Sequence, residues 1–237
     1  MRLRTRVTMQ LAALCLVLGT YGFAADDAYL YIVHGIPGRD IASTANPGFP
    51  VDVLINGETC IPRNAAYGIV YGPYNFSPGK YEVLISATNT LAPCTNPPII
   101  SSEVTLAGGA SVSAVAALTG GQPTLLQFTD SLTAVTAGDA RFVFTNTADA
   151  PALQATLTQV GVAKPKVFIV TASPGKQEAI NIPYGTYLVT VVASGSTAVL
   201  ATEEMVLANQ SVTFTYAAGE SANSSVGLFN KAVLAVF

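Results

Sequence analysis

His34 is the only histidine in the chain, so a Ser–His–Asp hydrolase would have to use it. Arg39, Asp40 and Asp52 follow at short spacing. An imidazole, a guanidinium and two carboxylates could line a small polar pocket, with the Gly35–Pro37–Gly38 loop letting a ligand approach the backbone. The same residues also fit a brace, in which His34 closes a strand and bonds Asp52 or loop backbone. The second half of the chain bears on this choice, because Asn146 and Gln154 stand where His34 and Asp52 stand in the first. Amides keep the hydrogen bonds but not the acid–base chemistry, which favours the brace.

Other chemistry finds little footing. No Gly-x-Ser-x-Gly elbow occurs, and Ser194-Gly195-Ser196 reads as a hairpin tip. Glu203 and Glu204 are adjacent, and neighbours on a strand point to opposite faces, so they are poor partners for paired acid–base work. Walker loops, Rossmann fingerprints and EF-hand loops are missing from the sequence. No catalytic residue, cofactor or metal is therefore expected, and the protein reads as a non-enzyme. Cys60 and Cys94 offer too few ligands for a metal and lack the Cys-x-x-Cys spacing of a redox site. Cys15 falls in the expected signal segment, so these two are the even pair of the mature exported chain and predict a structural disulfide, which the chain-entropy relation values at about 3–4 kcal/mol. Tyr67, Tyr71, Tyr74 and Phe76 cluster in sequence; they fit a sugar- or protein-binding platform, but core and strand-pairing surface is the commoner use of such residues.

Export itself rests on residues 1–24, which carry Arg2, Arg4 and Arg6, an apolar run from Leu11 to Leu18 and small residues at Gly22 and Ala24. That is the pattern of a cleaved signal peptide, and no later stretch is long and apolar enough to span a membrane. The destination is periplasmic, cell-surface or secreted. The whole chain has a net charge of −3, and losing three arginines makes the mature chain more acidic. Such a surface offers no footprint for nucleic acid. Charged residues are only 11% of the chain, which suits an envelope or matrix setting.

The elements that must position these side chains are short strands. Apolar alternation and turn residues predict strands at 28–34, 51–55, 66–71, 81–87, 99–106, 111–118 and 124–128, and again at 141–146, 153–159, 167–171, 178–182, 187–192, 198–207, 211–216 and 226–229. The two sets are written to one plan. Ser77-Pro78-Gly79-Lys80-Tyr81 and Pro183-Tyr184-Gly185-Thr186-Tyr187 are both turns leading through Gly to Tyr and a β-branched strand. Leu30 and Ile32 fall on Phe142 and Phe144. The reading is all-β: two tandem antiparallel β-sandwiches at 28–131 and 140–237, each with its own separate core, joined by a linker at 130–139.

Leu30-Tyr31-Ile32-Val33-His34-Gly35-Ile36-Pro37-Gly38, then Val51-Asp52-Val53, then Pro78-Gly79-Lys80-Tyr81 resemble the domain-of-unknown-function 4397 family of exported bacterial proteins. The resemblance covers nearly all the mature chain, with the second copy more divergent. It implies immunoglobulin-like sandwiches and no particular reaction. The expected role is a non-catalytic extracytoplasmic binding or cell-surface structural protein, with an envelope protein or a glycan as partner. The alternative is a small-ligand or enzymatic site at His34, Arg39, Asp40 and Asp52.

Overall fold

The computed structural model describes residues 26–41 and 48–235, with the side chains of Arg39 and Ile41 outside that description. The expected signal peptide lies outside it too. Among the described residues no helix is long and apolar enough to cross a membrane.

Sixteen strands and one helical turn follow in order among the described residues. The first half comprises β1 (Ala28–His34), α1 (Gly38–Ile41), β2 (Val51–Ile55), β3 (Thr59–Cys60), β4 (Val70–Phe76), β5 (Gly79–Ala87), β6 (Pro98–Leu106), β7 (Ser111–Thr119) and β8 (Gln122–Asp130). The second comprises β9 (Asp139–Asn146), β10 (Leu153–Gln159), β11 (Val167–Ala172), β12 (Lys176–Pro183), β13 (Gly185–Ala193), β14 (Val199–Leu207), β15 (Ser211–Ala218) and β16 (Gly227–Leu234). Each half builds two four-stranded sheets, β4-β1-β7-β8 with β3-β2-β5-β6, and β12-β9-β15-β16 with β11-β10-β13-β14. One order is thus used twice, strand for strand.

Pairing is not purely antiparallel as the sequence suggested. β1 runs parallel to β7, and β9 runs parallel to β15. A parallel pair needs a long crossover, and the intervening strands of the opposite sheet supply it. The third predicted strand is also displaced, from 66–71 to β4 at Val70–Phe76. Pro73 argues against a strand there, yet β4 is an edge strand, where a missing N–H costs no ladder bond. The pairing with β1 shifts register nearby, between Leu30 and Ile32.

Within each half, period-two alternation fills the space between the sheets. Leu30 and Ile32 on β1 meet Val53, Ile55, Val83 and Ile85, while Phe142 and Phe144 on β9 meet Leu157, Tyr187 and Val189. The two tyrosines are equivalent: Tyr81 donates its hydroxyl to Ser77 O and Tyr187 to Pro183 O, each at 2.7 Å. Tyr187 is fully buried, Tyr81 only partly.

Each half has a core of its own, as expected, but the halves also share one. A third apolar cluster joins Val33, Val115 and Phe128 of the first half to Val143, Val212, Phe214 and Tyr216 of the second. The outer faces of β4-β1-β7-β8 and β12-β9-β15-β16 therefore pack on each other, making four layers. The cause is legible in side-chain size. β7 presents Ser113, Val115 and Ala117 to the interface, and β15 fills the recess with Phe214 and Tyr216. Both strands are consequently buried on both faces. The linker is packed as well, with Val135 in the same cluster at 2% exposure.

Candidate functional site

At the end of β1 the chain turns through Gly35 towards α1. His34 is buried, and its Nε2 lies 2.7 Å from Phe49 O in the loop before β2. That bond requires a proton on Nε2, which leaves Nδ1 as an acceptor without a partner among the described residues. Burial pulls the imidazole pKa down, and the bond to Phe49 opposes this only in part. Gly35 does not open the backbone to a ligand: a Cβ there would stand 2.7 Å from Ala218 Cβ, so glycine lets the second half approach. Asp40 on α1 also faces the second half, accepting hydrogen bonds from Ser225 Oγ at 2.5 Å and Asn223 Nδ2 at 3.2 Å. Tyr67 reaches the same loop, its hydroxyl donating to Ser225 O and its ring lying edge-on to Phe229.

Asp52 points elsewhere. Its Oδ1 accepts from Asn64 N and Thr88 Oγ1, both at 2.8 Å, and its Oδ2 accepts from Asn89 N and Cys94 N, both at 3.0 Å. Burial alone would raise this carboxyl, but the hydrogen bonds win and hold it below the usual carboxylate range. Cys60 on β3 and Cys94 in the loop after β5 form the predicted disulfide. Carboxylate and disulfide thus pin the same irregular connection. Of the four residues singled out by sequence, His34 binds the loop at Phe49, Asp40 binds the second half and Asp52 organises the 88–96 loop. Arg39 lies on α1 with its side chain outside the described part. Nor do Tyr71, Tyr74 and Phe76 form a platform: they pack against the first core.

The densest polar constellation lies at the opposite end of β1, between the halves, and sequence reasoning missed it. Lys231 Nζ of β16 stands 2.5 Å from Asp130 Oδ2 at the end of β8, with side-chain exposures of 7% and 0%. Ser111 Oγ donates to Asp130 Oδ2 at 3.1 Å. Ser113 Oγ lies 2.8 Å from that oxygen, 3.1 Å from Oδ1, 2.8 Å from Lys231 Nζ and 2.7 Å from Tyr216 Oη. The ammonium sits 3.4 Å from the centre of the Tyr31 ring and 4.8 Å from that of Phe214. Burial pulls Lys231 down to about 8 against the opposing attraction of Asp130, and it raises Tyr216 well above an ordinary phenol. An open groove of about 750 Å³ adjoins this network, lined by Asp26, Tyr29, Ser111, Asp130 and Leu132. The available signal was a lone lysine between Leu228-Phe229-Asn230 and the apolar run Ala232-Val233-Leu234. Its partner, 101 residues away, carried none.

Among the described residues no group of three or more His, Cys, Asp or Glu side chains could hold a metal ion. Comparison with known proteins gives a family. Residues 28–156 match the family described as Domain of unknown function (DUF4397), a stretch running from β1 through the linker into β10. No curated protein matches. Among solved structures, a candidate cell adhesion protein from Bacteroides ovatus is 9% identical, covering 91% of this chain and 99% of its own, with a TM-score of 0.31. One from Bacteroides uniformis is 10% identical, covering 92% and 100%, also at 0.31. A candidate adhesin from Bacteroides ovatus is 12% identical, covering 91% and 97%, at 0.22. Similarity at that level assigns no partner or activity. The chain belongs to the DUF4397 family, and β9–β16 repeat the strand order of β1–β8.

Proposed function

We propose that this DUF4397 protein is a non-catalytic extracytoplasmic module that binds an envelope protein or glycan at the cell surface. The observation that carries this reading is where the reactive side chains spend their bonds. His34, Asp40 and Asp52 are each engaged by different parts of the protein rather than turned towards a common opening. Residues 1–24 supply the export signal, and the Cys60–Cys94 disulfide suits an oxidising compartment. Domains at 28–131 and 140–237 of immunoglobulin-like type fit the parallel β1–β7 and β9–β15 pairs and the tyrosine hydroxyls that bond back to the turn before their strands.

The contact face we assign is the outer side of β11-β10-β13-β14. Cross-strand partners share a face, which places Val167, Ile169, Leu188 and Val206 together among threonines and one carboxylate, Glu204 opposite Leu188. All four are exposed, Val206 by 70%. At the equivalent positions the first half carries Lys80 and Glu82 where the second has Thr186 and Leu188, while Glu103 matches Glu204. An exposed apolar stripe in a stable sheet suits a partner surface. The test is capture from envelope extracts and a glycan array by the mature protein, with Ile169→Lys as control. Capture by the mature protein that Ile169→Lys loses is the expected result. Repeated absence of any partner, glycan or self-association overturns the binding reading, and capture unaffected by Ile169→Lys overturns the face.

A further inference from the structure

The Lys231–Asp130 pair is poorly accounted for as an ordinary salt bridge. Charge-assisted N–O bonds run at about 2.7–2.9 Å, and burying two ions costs several kcal/mol that a neutral link would not. Here the separation is 2.5 Å, and both side chains are almost wholly buried. Aromatic rings of Tyr31 and Phe214 cover the nitrogen. Burial that lowers an ammonium to about 8 also makes the free amine accessible. Ser113 Oγ, 2.8 Å from both Nζ and Oδ2, is placed to carry a proton between them.

We propose that Lys231 and Asp130 join through an intramolecular amide bond, formed by the folded protein itself, which ties β8 of the first half to β16 of the second. A proton passes from Nζ to the carboxylate, giving a neutral amine and a carboxylic acid. The Nζ lone pair adds to Asp130 Cγ, forming the C–N bond. Ser113 relays a proton from nitrogen to Oδ2, the Cγ–Oδ2 bond breaks, and one water leaves to the groove that Ser111 and Asp130 line. Oδ1 remains as the amide oxygen. Nothing is oxidised or reduced, and no co-reactant is needed. Tyr216 Oη, 2.7 Å from Ser113 Oγ, holds the relay in position. Burial of both side chains under the Tyr31 and Phe214 rings favours condensation and protects the product from hydrolysis.

Intact mass of the denatured, full mature chain tests this directly. The expected value is one water below the disulfide-bonded sequence, with a digest that yields a branched peptide joining residues 130 and 231. Lys231→Met and Asp130→Ala should restore the full mass. Asp130→Asn should reach the wild-type mass, since the same amide forms with loss of ammonia. If a variant fails to fold, the wild-type chain still decides: a full mass after prolonged incubation overturns the bond. Ser113→Ala should slow the loss of water in freshly made protein, and an unchanged rate overturns its relay role.

Discussion

The two halves secure equivalent positions by different means. At the end of β1 the imidazole of His34 bonds Phe49 O; at the end of β9 the amide of Asn146 donates to Pro151 O and Ala172 O. Phe49 and Pro151 occupy the same place, two residues before the strands that pair Val51 with Ala87 and Leu153 with Ala193. What the repeat keeps is a side-chain bond from strand end to loop carbonyl, not the residue that makes it. The larger difference lies at the sheet edge. β11 pairs with β10 from Leu153 to Thr158, whereas β3 pairs with β2 at only Leu54 and Ile55. Where that edge strand is short, the first half adds the disulfide and the four bonds to Asp52. Cross-links here take the place of a ladder.

Separating the halves should have the largest effect. Phe214 and Tyr216 are both fully buried, and the first half provides much of their cover. Residues 139–235 expressed alone are expected to aggregate or bind hydrophobic dyes, as exposed aromatic faces do. Size-exclusion chromatography and circular dichroism check this. A soluble, cooperatively folding second half would show that the third cluster is dispensable.

Next comes the tyrosine pair. Tyr187→Ala in the full chain should cost about 4 kcal/mol, the range for deleting a fully buried aromatic, while Tyr81→Ala should cost clearly less because its ring is only partly covered. Urea unfolding of the two variants gives the difference. Equal costs would mean that burial does not separate the two cores.

The cross-links of the first half should follow. Asp52→Ala strands buried backbone donors and is expected to cost about 3 kcal/mol. Replacing both cysteines by serine should cost about 3–4 kcal/mol. Gln154→Ala, at the matching position, should cost under about 0.5 kcal/mol, as substitutions away from buried networks do. Hydrogen exchange should place the loss in residues 88–96. A Gln154 effect as large as that of Asp52 would remove the contrast.

Much of this comparison was legible in the sequence and some was not, for a physical reason. Leu30, Ile32, Phe142 and Phe144 announce their inward faces because strand periodicity is local, and Tyr81 and Tyr187 announce the repeat because a turn is local. The disulfide followed from cysteine count and compartment. Ser225 on Asp40, Ala218 against Gly35 and Lys231 on Asp130 left no such trace, since each joins residues far apart through a packing of halves that no periodicity encodes. The Val212, Phe214 and Tyr216 face of β15 was visible as alternation, whereas β7 from Ala114 to Leu118 is an unbroken apolar run. That the two are complementary was not visible, because complementarity belongs to the pair of strands and not to either alone.

The smallest effect expected is a pH dependence confined to the first half. His34 has its pKa lowered in the folded state by burial, while in the unfolded chain it titrates near 6.5. Between the folded value and about 6.5 the unfolded chain holds more protons than the native one, so stability rises with pH across that window and is lost as pH falls through it. Asn146, at the equivalent position, carries no proton to gain. His34→Asn should therefore flatten the stability profile below about pH 6.5 while costing under about 1 kcal/mol at neutral pH, because an amide can keep the bond to Phe49 O. Asp52 contributes a separate acid limb: its lowered pKa stabilises the fold above about 3.8, and that contribution fades as pH falls below it. Urea midpoints of wild type and His34→Asn from pH 7 down to pH 5 isolate the histidine limb, since Asp52 stays ionised over that range. Parallel profiles for the two proteins would mean that His34 is protonated as readily inside the fold as outside it, and the imidazole and amide braces would then differ in name only.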